Sequence, residues 1–242
     1  MIGSGLGRWL EGYFQYRNEE ADTGEKVIDI VNRMKKGVVE GSVLGSFVHR
    51  IHDQPVVFVH AGYHPPFLEY LTGLLPNSSP EGIAEYVNEL LVDYVKQCID
   101  EHEEFVACTF PNDVFESGPD RGGEGLGGPF WTDFHTIQDS ATATDGPLPF
   151  IQIVGHTMAW CYNPKIERDL QAYPGDDVAE CGLGLIRNTP QLDTICVDGG
   201  MYAGGRTFLE IGHDGVFRSF QRTTGPDTPF VVKDLTAELC NA

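Results

Sequence analysis

Positive charge is what this 242-residue chain has least of: 16 Lys and Arg stand against 36 Asp and Glu, a formal net charge of -20. So acidic a surface repels phosphate backbones and anionic headgroups, and nucleic acid is not an expected partner. Paired cysteines are also lacking. Cys98, Cys108, Cys161, Cys181, Cys196 and Cys240 lie far apart with no C-x-x-C spacing, which excludes a zinc ribbon and a thioredoxin-like motif. They read as free thiols in a reducing, intracellular compartment. No apolar run approaches the ~20 residues of a membrane-spanning helix, so no direct membrane insertion is expected. The opening residues, Met1 to Glu11, carry no basic stretch followed by a sustained apolar one, and they do not read as a secretory signal.

What is present describes a globular protein. Hydrophobic residues make up 41% of the chain and aromatics 11%, enough to bury a core. Glycine, at 29 residues, exceeds the usual share of about 7%, so tight turns and backbone-lined loops are expected. No repeat or linker divides the sequence, which reads as a single domain over 1–242.

Apolar spacing predicts helices over residues 5–17 and 41–52, the second from Val43, Leu44, Phe47, Val48 and Ile51. Pro80 and Glu81 open the clearest helix, running to about Glu104, with Ile83, Tyr86, Val87, Leu90, Leu91, Tyr94, Val95 and Cys98 on one face. Short β-branched runs predict buried strands at 55–60, 149–156 and 194–198. Asp214-Gly215 lies between 207–211 and 216–220 and signals a hairpin. The Gly- and Pro-rich stretch 111–129 reads as a long surface loop, and 163–190 as polar and irregular. The fold class expected is α/β (α+β).

Two histidines share a setting. His60 and His156 each end an apolar strand beside glycine or alanine, where open sheets present ligand groups from a rigid base. Neutral imidazole is the commonest side-chain ligand of divalent metals. Each alone also suits a hydrogen-bonded strand terminus; the two together favour ligands. No H-E-x-x-H occurs, so a zincin is not expected.

Four segments carry a resemblance. Phe58-Val59-His60-Ala61-Gly62-Tyr63-His64-Pro65, Gly128-Pro129-Phe130-Trp131-Thr132-Asp133, Ile153-Val154-Gly155-His156-Thr157 and Val197-Asp198-Gly199-Gly200-Met201-Tyr202-Ala203-Gly204-Gly205-Arg206 occur in the order found in calcineurin-like metallophosphoesterases. The chain resembles the C-terminal half of that family, in its branch of bacterial-type Ser/Thr protein phosphatases and diadenosine-tetraphosphatase-like enzymes. The resemblance implies the C-terminal portion of a β-sandwich flanked by helices. It also implies a phosphoester hydrolase using divalent Mn, Fe or Zn, with His60 and His156 as imidazole ligands of one metal.

The family's D-x-H, G-D-x-x-D and G-N-H-[ED] motifs, which supply the remaining ligands and a general acid, have no counterpart before His60. Two imidazoles fall short of the three protein ligands usual for catalytic zinc, so the chain by itself is expected to be inactive. Its expected partners are the missing N-terminal half or other protein subunits; a structural subunit built on a degenerate phosphatase fold is the alternative. Where related phosphatases carry an arginine after the tryptophan, this chain has Asp133, which would repel phosphate. Arg121 is then the candidate anion clamp, the other reading being a solvated loop charge.

Overall fold

The computed structural model describes residues 27–100, 113–119, 123–143, 148–156, 167–168, 183–188, 191–198, 207–221 and 230–239. They form a mixed α/β fold with two sheets. The larger contains β1 (Ser46–Ile51), β2 (Gln54–Val59), β3 (Ile151–Val154), β4 (Glu167–Arg168), β5 (Gly184–Asn188) and β6 (Gln191–Cys196), in the order β1-β2-β3-β6-β5-β4. The smaller is the antiparallel meander β7 (Thr207–Ile211), β8 (Phe217–Gln221) and β9 (Val231–Asp234). The helices are α1 (Val27–Val39), α2 (Pro65–Leu74), α3 (Pro80–Asp100), α4 (Phe134–Ala143) and the short α5 (Thr236–Leu239). Among the described residues no helix is long and apolar enough to cross a membrane.

Alternation along the central strands divides the core in two. Val57 and Val59 of β2, Val154 of β3 and Cys196 of β6 face a cluster built with α2, α3 and α4 through Phe67, Leu71, Ile83, Val87, Leu91, Phe134 and Ile137. Val56, Ile151, Ile153 and Ile195 point the other way, onto Phe217, Leu235 and Leu239 and the partly buried Leu209 and Ile211. With side chains alternating at period two, one strand thus serves two cores. The result is helices over a sheet over a second sheet.

The three central strands, β2, β3 and β6, are parallel. Parallel neighbours need long crossovers, and α2, α3 and α4 all lie between β2 and β3. All three strands therefore end at the same edge of the sheet, where His60, His156 and Asp198 follow them.

Several expectations are met. The strands at 55–60, 149–156 and 194–198 correspond to β2, β3 and β6, and the hairpin forms with Gly215 at φ 75°. Helix α3 starts at Pro80, behind Ser79, whose Oγ accepts the Gly82 N–H at 3.2 Å as an N-cap. Its Ile83, Val87, Leu91, Tyr94 and Val95 are buried. Residues 101–104 of the expected helix and all of 5–17 lie outside the described residues.

The expected helix at 41–52 is a correction: Ser46–Ile51 is strand β1. Two features override its helix-like spacing. Asn88 Oδ1 accepts the Gly45 and Ser46 N–H groups and its Nδ2 donates to Ser46 O, which fixes an extended entry. At the other end Ile51 pairs with Gln54 around His52 (φ 50°) and Asp53 (φ 65°), the double positive φ of a type I′ hairpin turn. Val43, Leu44 and Phe47 remain exposed, so the apolar spacing marked no buried stripe.

Residues 163–190, expected to be irregular, include β4 and β5. The expected surface loop 111–129 is partly internal, with Val114 and Phe115 buried in the helix-side core. Packing of those two apolar residues outweighs the flanking Gly and Pro signals.

Candidate functional site

The site is built where β2 and β3 end. β2 delivers His60 and β3, two residues beyond Val154, delivers His156. His60 is exposed and His156 half-buried. His156 Nδ1 lies 2.8 Å from His60 Nε2, so one ring nitrogen donates and the other accepts. The rings meet edge to face at 4.6 Å between centroids, and Trp131 stands edge to face with His156 at 5.0 Å.

The backbone is shaped to bring them together. His156 sits at φ 70°, a left-handed conformation that costs a non-glycine residue about 1–2 kcal/mol. Such outliers persist where surrounding structure over-determines them. Here Gly155 N–H donates to His60 O at 2.8 Å, and Val197 N–H donates to Val154 O at 2.7 Å. β3 therefore stays paired with both β2 and β6 past their last ladder residues.

The segment after His60 is held from two sides. Ala61 and Gly62 N–H groups both donate to Pro129 O, at 2.8 and 3.3 Å. Tyr63 N–H donates to Gln152 Oε1 at 2.8 Å, while Gln152 Nε2 donates to Tyr63 O and to Thr194 Oγ1, each at 3.0 Å. Gly62 has φ 123°, and a Cβ there would collide with Ile137 Cδ1; only glycine fits.

His64 ends the segment as a structural group. It is buried, accepting the Phe67 N–H at Nδ1 and donating from Nε2 to Gly127 O at 2.9 Å. That makes it the N-cap of α2 in the neutral Nε2–H tautomer. Burial pushes its pKa down, partly opposed by the Gly127 carbonyl.

The loop carrying Trp131 is tied to the same framework. Gly118 N–H donates to Trp131 O and Gly128 N–H to Glu116 O, at 3.1 and 3.0 Å. Gly123 N–H donates to Gly118 O at 3.1 Å. Arg121 lies outside the described residues. Asp133, expected to face and repel phosphate, is instead fully buried at the residue preceding α4, with its carbonyl accepting the Thr136 and Ile137 N–H groups.

Two imidazole nitrogens bound to one tetrahedral zinc at about 2.0–2.1 Å stand roughly 3.3 Å apart; the 2.8 Å found here is a direct hydrogen bond, so the rings would have to part by about half an ångström to share an ion. Among the described residues no group of three or more His, Cys, Asp or Glu comes together that could hold a metal. Asp198, although it follows the third parallel strand, joins no such group.

The sequence reading paired His60 with His156 and missed Gln152. A single amide within Ile151-Gln152-Ile153-Val154 was the available signal, since a polar side chain buried in a strand needs a partner. Compared with family models, curated proteins and solved structures, the chain matches none.

Proposed function

We propose that the chain carries the two-imidazole part of a metal-dependent phosphoester hydrolase site of the calcineurin-like type, and that by itself it does not hydrolyse phosphoesters. The observation that carries this reading is the 2.8 Å approach of His156 Nδ1 to His60 Nε2 at the ends of adjacent parallel strands. It is joined by the order of the four resemblance segments, of which three have described residues near the pair: Ala61 and Gly62 bonded to Pro129, Trp131 against His156, and Gly155 bonded to His60. The two packed sheets with helices on one face suit the C-terminal portion of the family's sandwich.

His60 and His156 would hold a divalent Mn, Fe or Zn ion. When bound, such an ion polarises a phosphoryl oxygen and acidifies water. The chain's own groups fix the two rings, and Trp131 packs against one of them. Arg121 is proposed to meet the phosphate as a bidentate cation. Inactivity follows from the ligand count, because two imidazoles leave a phosphoesterase centre without the carboxylates it needs. The missing ligands would come from the family's N-terminal half.

Calorimetric titration of Mn²⁺ or Zn²⁺, with and without His60→Ala or His156→Ala, tests the reading. Expected are binding by the wild type, at least tenfold weaker in either variant, and no hydrolysis of a small aryl phosphate. Equal binding in all three proteins would overturn the ligand assignment, and hydrolysis abolished by His60→Ala would overturn the inactivity.

A second reading is a non-catalytic subunit of a protein assembly that keeps the fold without the metal. It is favoured by the absence of a third ligand beside the pair among the described residues. Metal binding that depends on His60 decides against it.

A further inference from the structure

Gln152 occupies the middle of the parallel sheet, with no exposed surface. In β3 it pairs in register with Val57 of β2 and Thr194 of β6. Its side chain projects to the helix side and grips the peptide groups of Tyr63 on both edges: the N–H donates to Oε1 at 2.8 Å, and Nε2 donates to the carbonyl at 3.0 Å. The second Nε2 hydrogen goes to Thr194 Oγ1, whose own hydrogen goes to Asp193 Oδ1 at 3.2 Å. Both amide hydrogens are therefore used, and the orientation of the amide is fixed by its partners.

This clamp joins the two elements that carry the histidines. Tyr63 lies three residues beyond His60, and Gln152 four residues before His156. The clamp thus ties the segment that follows β2 to β3, as the ring contact does. Neutral hydrogen bonds within a buried network are costly to leave half made.

We infer that Gln152 is a positioning residue that sets the approach of His60 to His156 by holding the Tyr63 backbone against β3. The consequence for metal affinity rests on the ligand reading above; the consequence for the ring contact does not. Asn is one methylene too short to reach both edges of the Tyr63 peptide, and Met fills the volume without polar atoms.

The test uses ¹⁵N-histidine-labelled protein, in which a proton shared between His156 Nδ1 and His60 Nε2 couples the two nitrogens. Gln152→Met and Gln152→Asn are expected to lose that coupling at temperatures where circular dichroism shows the fold intact, and to bind Zn²⁺ at least tenfold more weakly. Val87→Ala, which removes buried volume under α3, is expected to lower the melting temperature and keep the coupling. Retention of the coupling in both Gln152 variants would overturn the inference.

Hydrogen exchange on the wild type decides the matter even where a variant fails to fold. The Tyr63 amide is expected to exchange no faster than the amides of β3, and exchange at the rate of an open loop would overturn the clamp. A wild type that shows the coupling yet takes up no Zn²⁺ would remove the ligand reading and leave the role of Gln152 standing.

Discussion

The two ends of β2 both carry a histidine and both turn through positive φ, yet they are built differently. At the N-terminal end His52 and Asp53 form an exposed two-residue turn. It meets the neighbouring hairpin through His52, whose Nε2 lies 3.2 Å from Asp214 O. Beside it Arg218 pairs with Asp214 and Glu210 at 2.7 and 3.2 Å; exposed, solvent-screened pairs of this kind contribute little. At the C-terminal end the residues from His60 to His64 are held by Gly155, Pro129, Gln152 and Gly127 in succession. One end makes a turn with whatever suffices. The other ties residue after residue to a separate partner, the kind of support that ligand or catalytic groups require.

Substitutions that sharpen this contrast fall in a clear order of size. Gly62→Ala forces a left-handed alanine into Ile137 and is expected to cost about 2–4 kcal/mol. Gly41→Ala, at φ 74° in open space before β1, should cost only about 1 kcal/mol. Urea midpoints compare them, and equal shifts would erase the distinction between an over-determined segment and a permissive turn.

Next comes the base of the clamp. Burial pushes the Asp193 carboxyl up to about 6, opposed by the Leu148 N–H and the Thr194 hydroxyl. A folded-state pKa raised above the unfolded one means that folding binds a proton. Asp193 therefore contributes most below its ordinary pKa near 3.8 and loses that contribution as pH rises through about 6. Asp193→Asn removes the slope, so the part of the pH dependence due to this carboxyl, about 2–3 kcal/mol between pH 3 and 7.5, should disappear in the variant. His64 acts with the opposite sign. Its lowered pKa favours the neutral ring in the fold, so its contribution is complete above the unfolded value of ~6.5 and falls as pH drops below it. The Asp193→Asn variant should accordingly lose stability on acidification through pH 6. Denaturation at a series of pH values reads both slopes.

The smallest effect belongs to the open end. Replacing His52 by Asn together with Asp53→Gly supplies the preferred type I′ pair and is expected to add about 0.5–1 kcal/mol in the same urea experiment. The His60 to His156 contact should not change. A change there would mean that the two ends of β2 are coupled.

Much of this architecture was readable from residue order. Short β-branched runs disclosed β2, β3 and β6, and the i, i+4 stripe from Ile83 to Val95 disclosed α3. Strand ends beside glycine directed attention to His60 and His156, which the fold brings into contact. The first hairpin was not readable, because Val48 and Ile51 are spaced like a helical stripe while the decisive partner, Asn88, lies far along the chain. The turn also uses His and Asp where Asn-Gly would have announced it. α2 and α4 escaped notice because their buried faces are short: Phe67, Leu68 and Leu71 in one, and Phe134 and Ile137 in the other. The clamp was hidden for a different reason. Gln152 bonds to backbone atoms of Tyr63, and a backbone partner leaves no mark in the sequence.

X-ray absorption at the zinc edge of protein loaded with one equivalent of Zn²⁺ tests the central assignment most directly. Two imidazoles per zinc at about 2.0–2.1 Å are expected, reduced to one in His60→Ala. A first shell of oxygen alone, or a histidine signal unchanged in His60→Ala, would contradict it.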